Sequence, residues 1–371
     1  MRDVIDRLPG SKIREVANAG LGRADVLAFW FGESDEPTPD FIRDAAMRSL
    51  VEGEFFYGHN LGLPALRDAL AAYVSALHRP VAADRIAVTS SGVSALMLAM
   101  QALAGAGDEV VVVVPVWPNL TAQPAILGAV VKRVSLVVHE GAWRLDMTSL
   151  LAAVTTETRV LVINAPNNPT GWTMSRAEQQ TILEHCRVTG TWIVADEVYE
   201  RVYFASADSC APSFLDVAEI DDRLVVAHSF SKSFLMTGWR LGWLVFPPAL
   251  LAAIGKLIEF NTSCAPTFVQ RAGLAALDGA AEFVPALVSR LKTCRDTLLP
   301  ALADLKGVQV VVPDGGMYAF FRVDGRGDSL SFAKSLVTDA GLGLAPGVAF
   351  GDEAEGWLRW CFATRTRRVW A

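Results

Sequence analysis

Cysteine is scarce in this chain and shows no pattern. Its five residues, Cys186, Cys210, Cys264, Cys294 and Cys361, are odd in number and include no CxxC pair. That argues against a disulfide framework or a cysteine-based zinc site and fits a reducing cytoplasm. Histidine is equally sparse, with five residues and no HExxH spacing, so no metal is expected. There is no surplus of basic residues either. Lys and Arg number 33 against 40 Asp and Glu, a net charge of −7. Nucleic acids and anionic membranes select basic surfaces, so neither is an expected partner. The longest strongly apolar run, "VVVVVPVW" from Val110 to Trp117, is too short to span a bilayer and contains a proline. The N-terminal "MRDVIDRLPGSKIREV" mixes charges of both signs and is not a signal peptide. No internal repeat or low-complexity tract is evident.

What is present is apolar mass in a regular order. Hydrophobic residues make up 52% of 371 residues and charged residues 20%, enough for one large domain and a smaller one. From Asp84 to about Phe246, short β-branched runs end in polar or Gly/Pro-rich turns, and many are followed by helical stretches. "RIAVTSSG" leads into "VSALMLAMQALAG", and "TRVLVINAPNNPTG" into "SRAEQQTILEHCRVTG". This alternation predicts an α/β fold, a mostly parallel sheet with helices on both faces. Beyond Phe246 the pattern turns helical, and short strands return in "GVQVVVP", "MYAFFRV" and "GWLRWCFAT". The expected division is a large domain over residues 46–275. A smaller α+β domain takes residues 276–371 and a turn-rich N-terminal arm, residues 1–45.

Ligands of parallel sheets bind at the carboxyl ends of the strands. Trp117, Asn168, Asp196 and Lys232 all follow an apolar β run closely, as does the turn Ser90-Ser91-Gly92. In "VVAHSFSKSFLMTGWRLGWLVF" Lys232 stands among serines, aromatics and aliphatics, with Arg240 eight residues on and no acid between them. Burial and a nearby cation lower a lysine pKa and suit it to Schiff-base chemistry. A surface lysine packed on Phe230 and Phe234 is the ordinary alternative. Asp196 closes "WIVAD" as a helix cap or as a carboxylate held for a protonated ring nitrogen, with Tyr199 three residues beyond. "NAPNNPTGW" is a turn, or a turn that brings the Asn168 amide to a ligand. "SSGVSAL" is a helix start and a ready anion site.

In their order, these pieces resemble the class I/II aminotransferases, the fold-type-I enzymes that depend on pyridoxal 5′-phosphate. The resemblance runs from "GESDEPTP" through "YGHNLGLPALRDAL" to "PGVAFGDEAEGWLRWCFATR". It implies that Lys232 carries the cofactor as a Schiff base and shuttles protons, and that Asp196 pairs with the pyridinium nitrogen. Tyr199 and Asn168 would bond the phenolic oxygen, and Trp117 would stack on the ring. Ser91, Gly92, Ser229 and Arg240 would hold the phosphate, with Ser231 nearby. Tyr57, in "FFYGHNLG", matches a tyrosine that reaches the phosphate of the neighbouring subunit, which implies a homodimer with shared active sites. Arg359 matches the clamp for the substrate α-carboxylate, and Gly32 and Asn168 line the substrate pocket.

Two departures bear on substrate. Val93 stands where relatives often carry Thr or Ser and where some aspartate-specific ones carry Lys. "FGESDEPTP" stands where many have "GEPDFPTP". The expected activity is ping-pong transfer from a neutral, apolar or aromatic L-amino acid to a 2-oxo acid. The rivals are a C–S β-lyase or decarboxylase on the same scaffold, and a non-catalytic cofactor-binding regulator. Regulators of that kind carry an added DNA-binding domain, and here the enzyme pattern starts almost at once, so an enzyme is expected.

Overall fold

The five valines of "EVVVVV" lie on an interior strand of an eight-stranded sheet and are fully buried. In chain order its strands are β1 (Ile86–Thr89), β2 (Glu109–Val114), β3 (Val130–His139), β4 (Ala142–Leu145), β5 (Thr158–Asn164), β6 (Trp192–Asp196), β7 (Leu224–Ser229) and β8 (Gly242–Val245). They lie side by side as β1-β8-β7-β6-β5-β2-β3-β4. Parallel pairing joins β7, β6, β5, β2 and β3. Only β8 and β4 run against their neighbours. Val110, Val112 and Val114 feed one hydrophobic core, and Val111 and Val113 feed the other. A strand covered on both faces reads as a continuous apolar run, which is why this segment shows no alternation. The computed structural model describes residues 1–206 and 210–364, so the last seven residues of the expected small domain lie outside the described part.

The helices that position the site are α1 (Lys12–Gly20), α2 (Asp40–Val51), α3 (Gly92–Leu103), α4 (Thr267–Asp278), α5 (Ala280–Ala303) and α6 (Ser329–Ala340). A second sheet is antiparallel and holds β9 (Val308–Val311), β10 (Tyr318–Val323), β11 (Ala345–Pro346) and β12 (Trp357–Cys361) in the order β9-β10-β12-β11. These are the three strands expected after Phe246, with the short β11 added at the edge. Together the two sheets confirm the α/β reading of the sequence.

The N-terminal arm differs from the turn-rich segment expected. It holds α1, whose Ile13, Val16, Ala17 and Gly20 are buried at helical spacing, and Ser11 caps it by accepting a bond from the Arg14 amide at 3.3 Å. α1 packs against α6, and Leu27–Ala28 pairs in parallel with Leu342–Gly343. The arm is thus tied to the second sheet's side of the molecule. α2 instead packs on α4. The expected boundaries at 45/46 and 275/276 fall inside α2 and α4. Among the described residues, no single helix is long and apolar enough to cross a membrane.

Candidate active site

The carboxyl ends of β2, β5, β6 and β7 open into one cleft of about 390 Å³. Asp196 is the last residue of β6, paired in register with Asn164 at the end of β5. Ser229 ends β7, and Lys232 sits in the single helical turn Phe230–Ser233 that follows. Trp117, Asn168 and Gly92 come from the turns after β2, β5 and β1. Arg359 reaches the same cleft from β12, and Gly32, Arg240 and Ser231 complete the set.

Ten of the expected site residues therefore line one cavity: Gly32, Gly92, Trp117, Asn168, Asp196, Tyr199, Ser229, Lys232, Arg240 and Arg359. Ser91 lies just behind it. Its hydroxyl caps α3 by accepting from the Ser94 amide at 3.0 Å, and its φ of 132° is a strained value for a residue with a side chain. The backbone is crowded here. A Cβ at Gly242 would lie 2.6 Å from the Gly92 nitrogen, so only glycine lets β8 pass this turn. Tyr57 is not in the cleft of its own chain. It is 89% exposed and borders a separate hollow with Phe55, Phe56 and Phe268.

The electrostatics single out three groups. The Asp196 carboxylate is buried, and among the described residues its one hydrogen bond comes from the Val198 amide at 3.4 Å. Burial pushes its pKa up to about 7. Lys232 Nζ donates to the Gly32 carbonyl at 2.6 Å, and burial pulls its pKa down to about 8. Cys361 opposes that fall, and Arg359 assists it more strongly than Arg240 does, so the expected Arg240 effect is the lesser of the two. Arg359 is 2% exposed and has no carboxylate partner among the described residues. Its guanidinium is held by Asn168 and the Trp30 carbonyl, and its Nε has no partner among the described residues. A buried carboxylate, a buried guanidinium and a depressed lysine around one cavity leave places for a cationic ring atom, an anion and a carbonyl carbon.

Several residues of the site escaped the sequence reading. Tyr318 lines the cleft from β10, and its hydroxyl is 2.5 Å from that of Tyr199. Ile13 and Arg14 enter from α1, whose existence was missed. Behind the cleft, buried carboxylates anchor the turn that carries Asp196 and Tyr199. Glu197 accepts from the Ser213 hydroxyl at 2.5 Å and the Phe214 amide at 3.0 Å. His78 donates to Asp216 at 2.9 Å and to Glu200 at 3.1 Å. Burial opposes charge on His78, yet Asp216, Cys210 and Glu200 outweigh it and push its pKa up to about 12. The only signal for this set in the sequence was the density of acids in "DEVYER".

The profile of the family "Aminotransferase class I and II" matches residues 24–369. A probable aspartate/prephenate aminotransferase of Aquifex aeolicus is 32% identical over 97% of this chain and 91% of its own length. An arginine–pyruvate transaminase of Pseudomonas aeruginosa is 33% identical over 90% of this chain and 83% of its own. The crystal structure of an aspartate aminotransferase from Thermotoga maritima superposes with a TM-score of 0.91 at 32% identity, covering 100% of this chain and 96% of that one. The parallel sheet, the cleft at its carboxyl edge and these full-length likenesses agree, and the chain belongs to the class I and II aminotransferases.

Proposed function

We propose that the protein is a pyridoxal 5′-phosphate-dependent aminotransferase that moves the amino group of an L-amino acid to a 2-oxo acid by a ping-pong mechanism. The observation that carries this reading is the convergence of a buried Asp196 carboxylate, a buried Arg359 guanidinium and a depressed Lys232 on one cleft. The residues fit the cofactor. Asp196 offers the buried negative charge that a protonated ring nitrogen needs, and Trp117 offers a flat face for the ring. Tyr199 and Asn168 would hold its phenolic oxygen. The α3 N-terminus, Ser91, Gly92, Ser229 and Arg240 form the phosphate end. The cofactor, when bound, supplies an electron sink for the substrate α-carbon.

The chain's own residues do the rest. Arg359 fixes the substrate α-carboxylate, which supplies the anion its buried charge lacks. Lys232 Nζ, neutral in part near pH 8, would hold the cofactor covalently and, once the substrate amine displaces it as a free amine, would be placed to accept the proton released from the substrate Cα. Val93, Ile13, Phe31, Leu96 and Trp117 give the side-chain end of the cleft an apolar wall. That wall favours neutral, apolar or aromatic donors. A second reading, a dicarboxylic donor, is favoured by one observation: Arg14 also lines the cleft, its guanidinium 5.6 Å over the Phe31 ring.

Two wider features belong to the same reading. Val51, Phe55, Phe56, Tyr57 and Phe260 are exposed at 62% or more, which supports a homodimer in which Tyr57 of one copy serves the phosphate end of the other. The large domain would carry the eight-stranded sheet and the small one the second sheet with the N-terminal arm, in the cytoplasm. The direct test is borohydride reduction of the purified, yellow protein followed by peptide mapping. Covalent cofactor on Lys232 is expected, and label on any other lysine sinks the assignment.

A further inference from the structure

Tyr318 was not marked by any motif, yet it touches three parts of the cleft. Its hydroxyl lies 2.5 Å from the Tyr199 hydroxyl. Its ring lies under the Arg359 guanidinium, 4.4 Å from centroid to Cζ. Its hydroxyl also fills the space over Gly32, where any Cβ would collide with it. Gly32 in turn holds Lys232 through its carbonyl.

Two hydroxyls at this distance share one hydrogen bond, and only one of the two protons is used. Tyr318 is fully enclosed, and Tyr199 is its one hydrogen-bonding partner among the described residues. If Tyr199 donated, the Tyr318 proton would be buried without an acceptor, a costly arrangement. If Tyr318 donates, its proton is satisfied. The Tyr199 proton is then left for an acceptor in the cleft, which Tyr199 also lines. A hydroxyl oxygen that accepts a hydrogen bond becomes a stronger donor through its own proton.

We propose that Tyr318 is a positioning residue that acts through Tyr199: its hydroxyl donates to the Tyr199 oxygen and so directs and strengthens the Tyr199 proton toward the phenolic oxygen of the bound cofactor. This rests on the functional reading above. The ring of Tyr318 has a separate task, supporting Arg359 from below. The two tasks are separable because Tyr318→Phe removes one and keeps the other.

The test is the pH titration of the visible absorption of the lysine-bound cofactor, which reports how well the ionised phenolic oxygen is stabilised. Tyr318→Phe should raise the midpoint by about 0.5 to 1 unit, the roughly 3- to 10-fold effect of one neutral hydrogen bond. KM for the amino donor should stay within about twofold, since the ring under Arg359 remains. Tyr199→Phe should raise the midpoint further. In the Tyr199→Phe background, adding Tyr318→Phe should change nothing more, because its route is gone. A midpoint unmoved by Tyr318→Phe, or a shift that persists without the Tyr199 hydroxyl, overturns the proposal. A protein with no visible band and no borohydride-fixed Lys232 overturns instead the functional reading on which it stands. Thermal melts separate a local effect from loss of folding: Tyr318→Phe should match the parent, and Tyr199→Phe, which strands the buried Tyr318 proton, should melt somewhat lower while staying folded at assay temperature.

Discussion

Arg359 Nη1 donates to the side-chain oxygen of Asn168 at 2.9 Å, across 191 residues of chain. A second bond runs from Nη2 to the Trp30 carbonyl at 2.5 Å. Both partners are neutral, so the guanidinium is oriented without being neutralised. Among the described residues it has no carboxylate partner, as the proposed substrate clamp requires. The fork geometry is specific to arginine. Arg359→Lys keeps the charge and should still lower kcat/KM for every amino donor by about 100-fold or more, chiefly through KM. Asn168→Ala removes the orienting oxygen and should cost about 10-fold on the same measure. Equal kcat/KM in Arg359→Lys and the parent would show that the carboxylate is met elsewhere.

Asp196 links pH to stability in the cofactor-free protein. Its folded pKa of about 7 lies above the 3.8 of an ordinary aspartate, so the folded state holds the proton more tightly. The sign follows directly: stability from this group is present below pH 4 and is lost as pH rises toward 7. The difference of about 3 units corresponds to an upper bound of about 4 kcal/mol at 1.36 kcal/mol per unit. Asp196→Asn cannot ionise. The cofactor-free variant should therefore gain on the cofactor-free parent between pH 5 and pH 8 in urea unfolding. Adding cofactor should reverse the ranking, because only the parent offers the ring nitrogen a charge. Parallel stability profiles for the two proteins across that range would refute this.

The parts of this molecule that local patterns govern were open to reading. The strand ends at Asp196 and Ser229, the turn at Ser91-Gly92 and Arg359 in an apolar strand were visible because each breaks an apolar run with a polar group. Residues that act across the fold gave no such sign. Tyr318 sits in "MYAFFRV" as one aromatic among several, and it nears Tyr199 where the chain before β10 meets the turn after β6, the Gly316 amide donating to the Val202 carbonyl at 2.8 Å. α1 was hidden because its buried stripe is made of Ile13, Val16, Ala17 and Gly20, two of them small. Missing α1 meant missing Arg14. His78 reads as a loop residue after "YVSAL", and nothing local brings it to Glu200 and Asp216.

Tyr57 offers a test of assembly. At 89% exposed, it lies outside its own cleft and lines a separate hollow. In a dimer with shared sites, a subunit carrying Tyr57→Phe and one carrying Lys232→Ala should form a heterodimer with one intact site and one doubly damaged site. Lys232→Ala homodimers should be inactive, and Tyr57→Phe homodimers should bind cofactor about 10-fold more weakly. The mixed dimer, isolated by two affinity tags, should recover about half of the parent activity with parent-like cofactor affinity. A mixed dimer that keeps the weak affinity of Tyr57→Phe argues that each site is built from one chain, as does full activity in a sedimenting monomer.

Donor choice turns on the balance between Arg14 and the wall around it. Arg14 is exposed and has no carboxylate partner among the described residues, so it is free to meet a second substrate carboxylate. An exposed ion pair is worth only about 0.2–1 kcal/mol, at most about 5-fold. A buried charge-assisted bond is worth about 1.5–3 kcal/mol, and Val93, which lines the cleft, has no group to make one. The wall should therefore win. Aspartate should show kcat/KM at least about 10-fold below the best of phenylalanine, methionine and alanine with one common acceptor. Arg14→Met should leave the neutral donors within about twofold and weaken aspartate by up to about 5-fold more. If aspartate is instead the best donor and Arg14→Met abolishes that preference, the neutral-donor reading fails and the dicarboxylic one, carried by Arg14, replaces it.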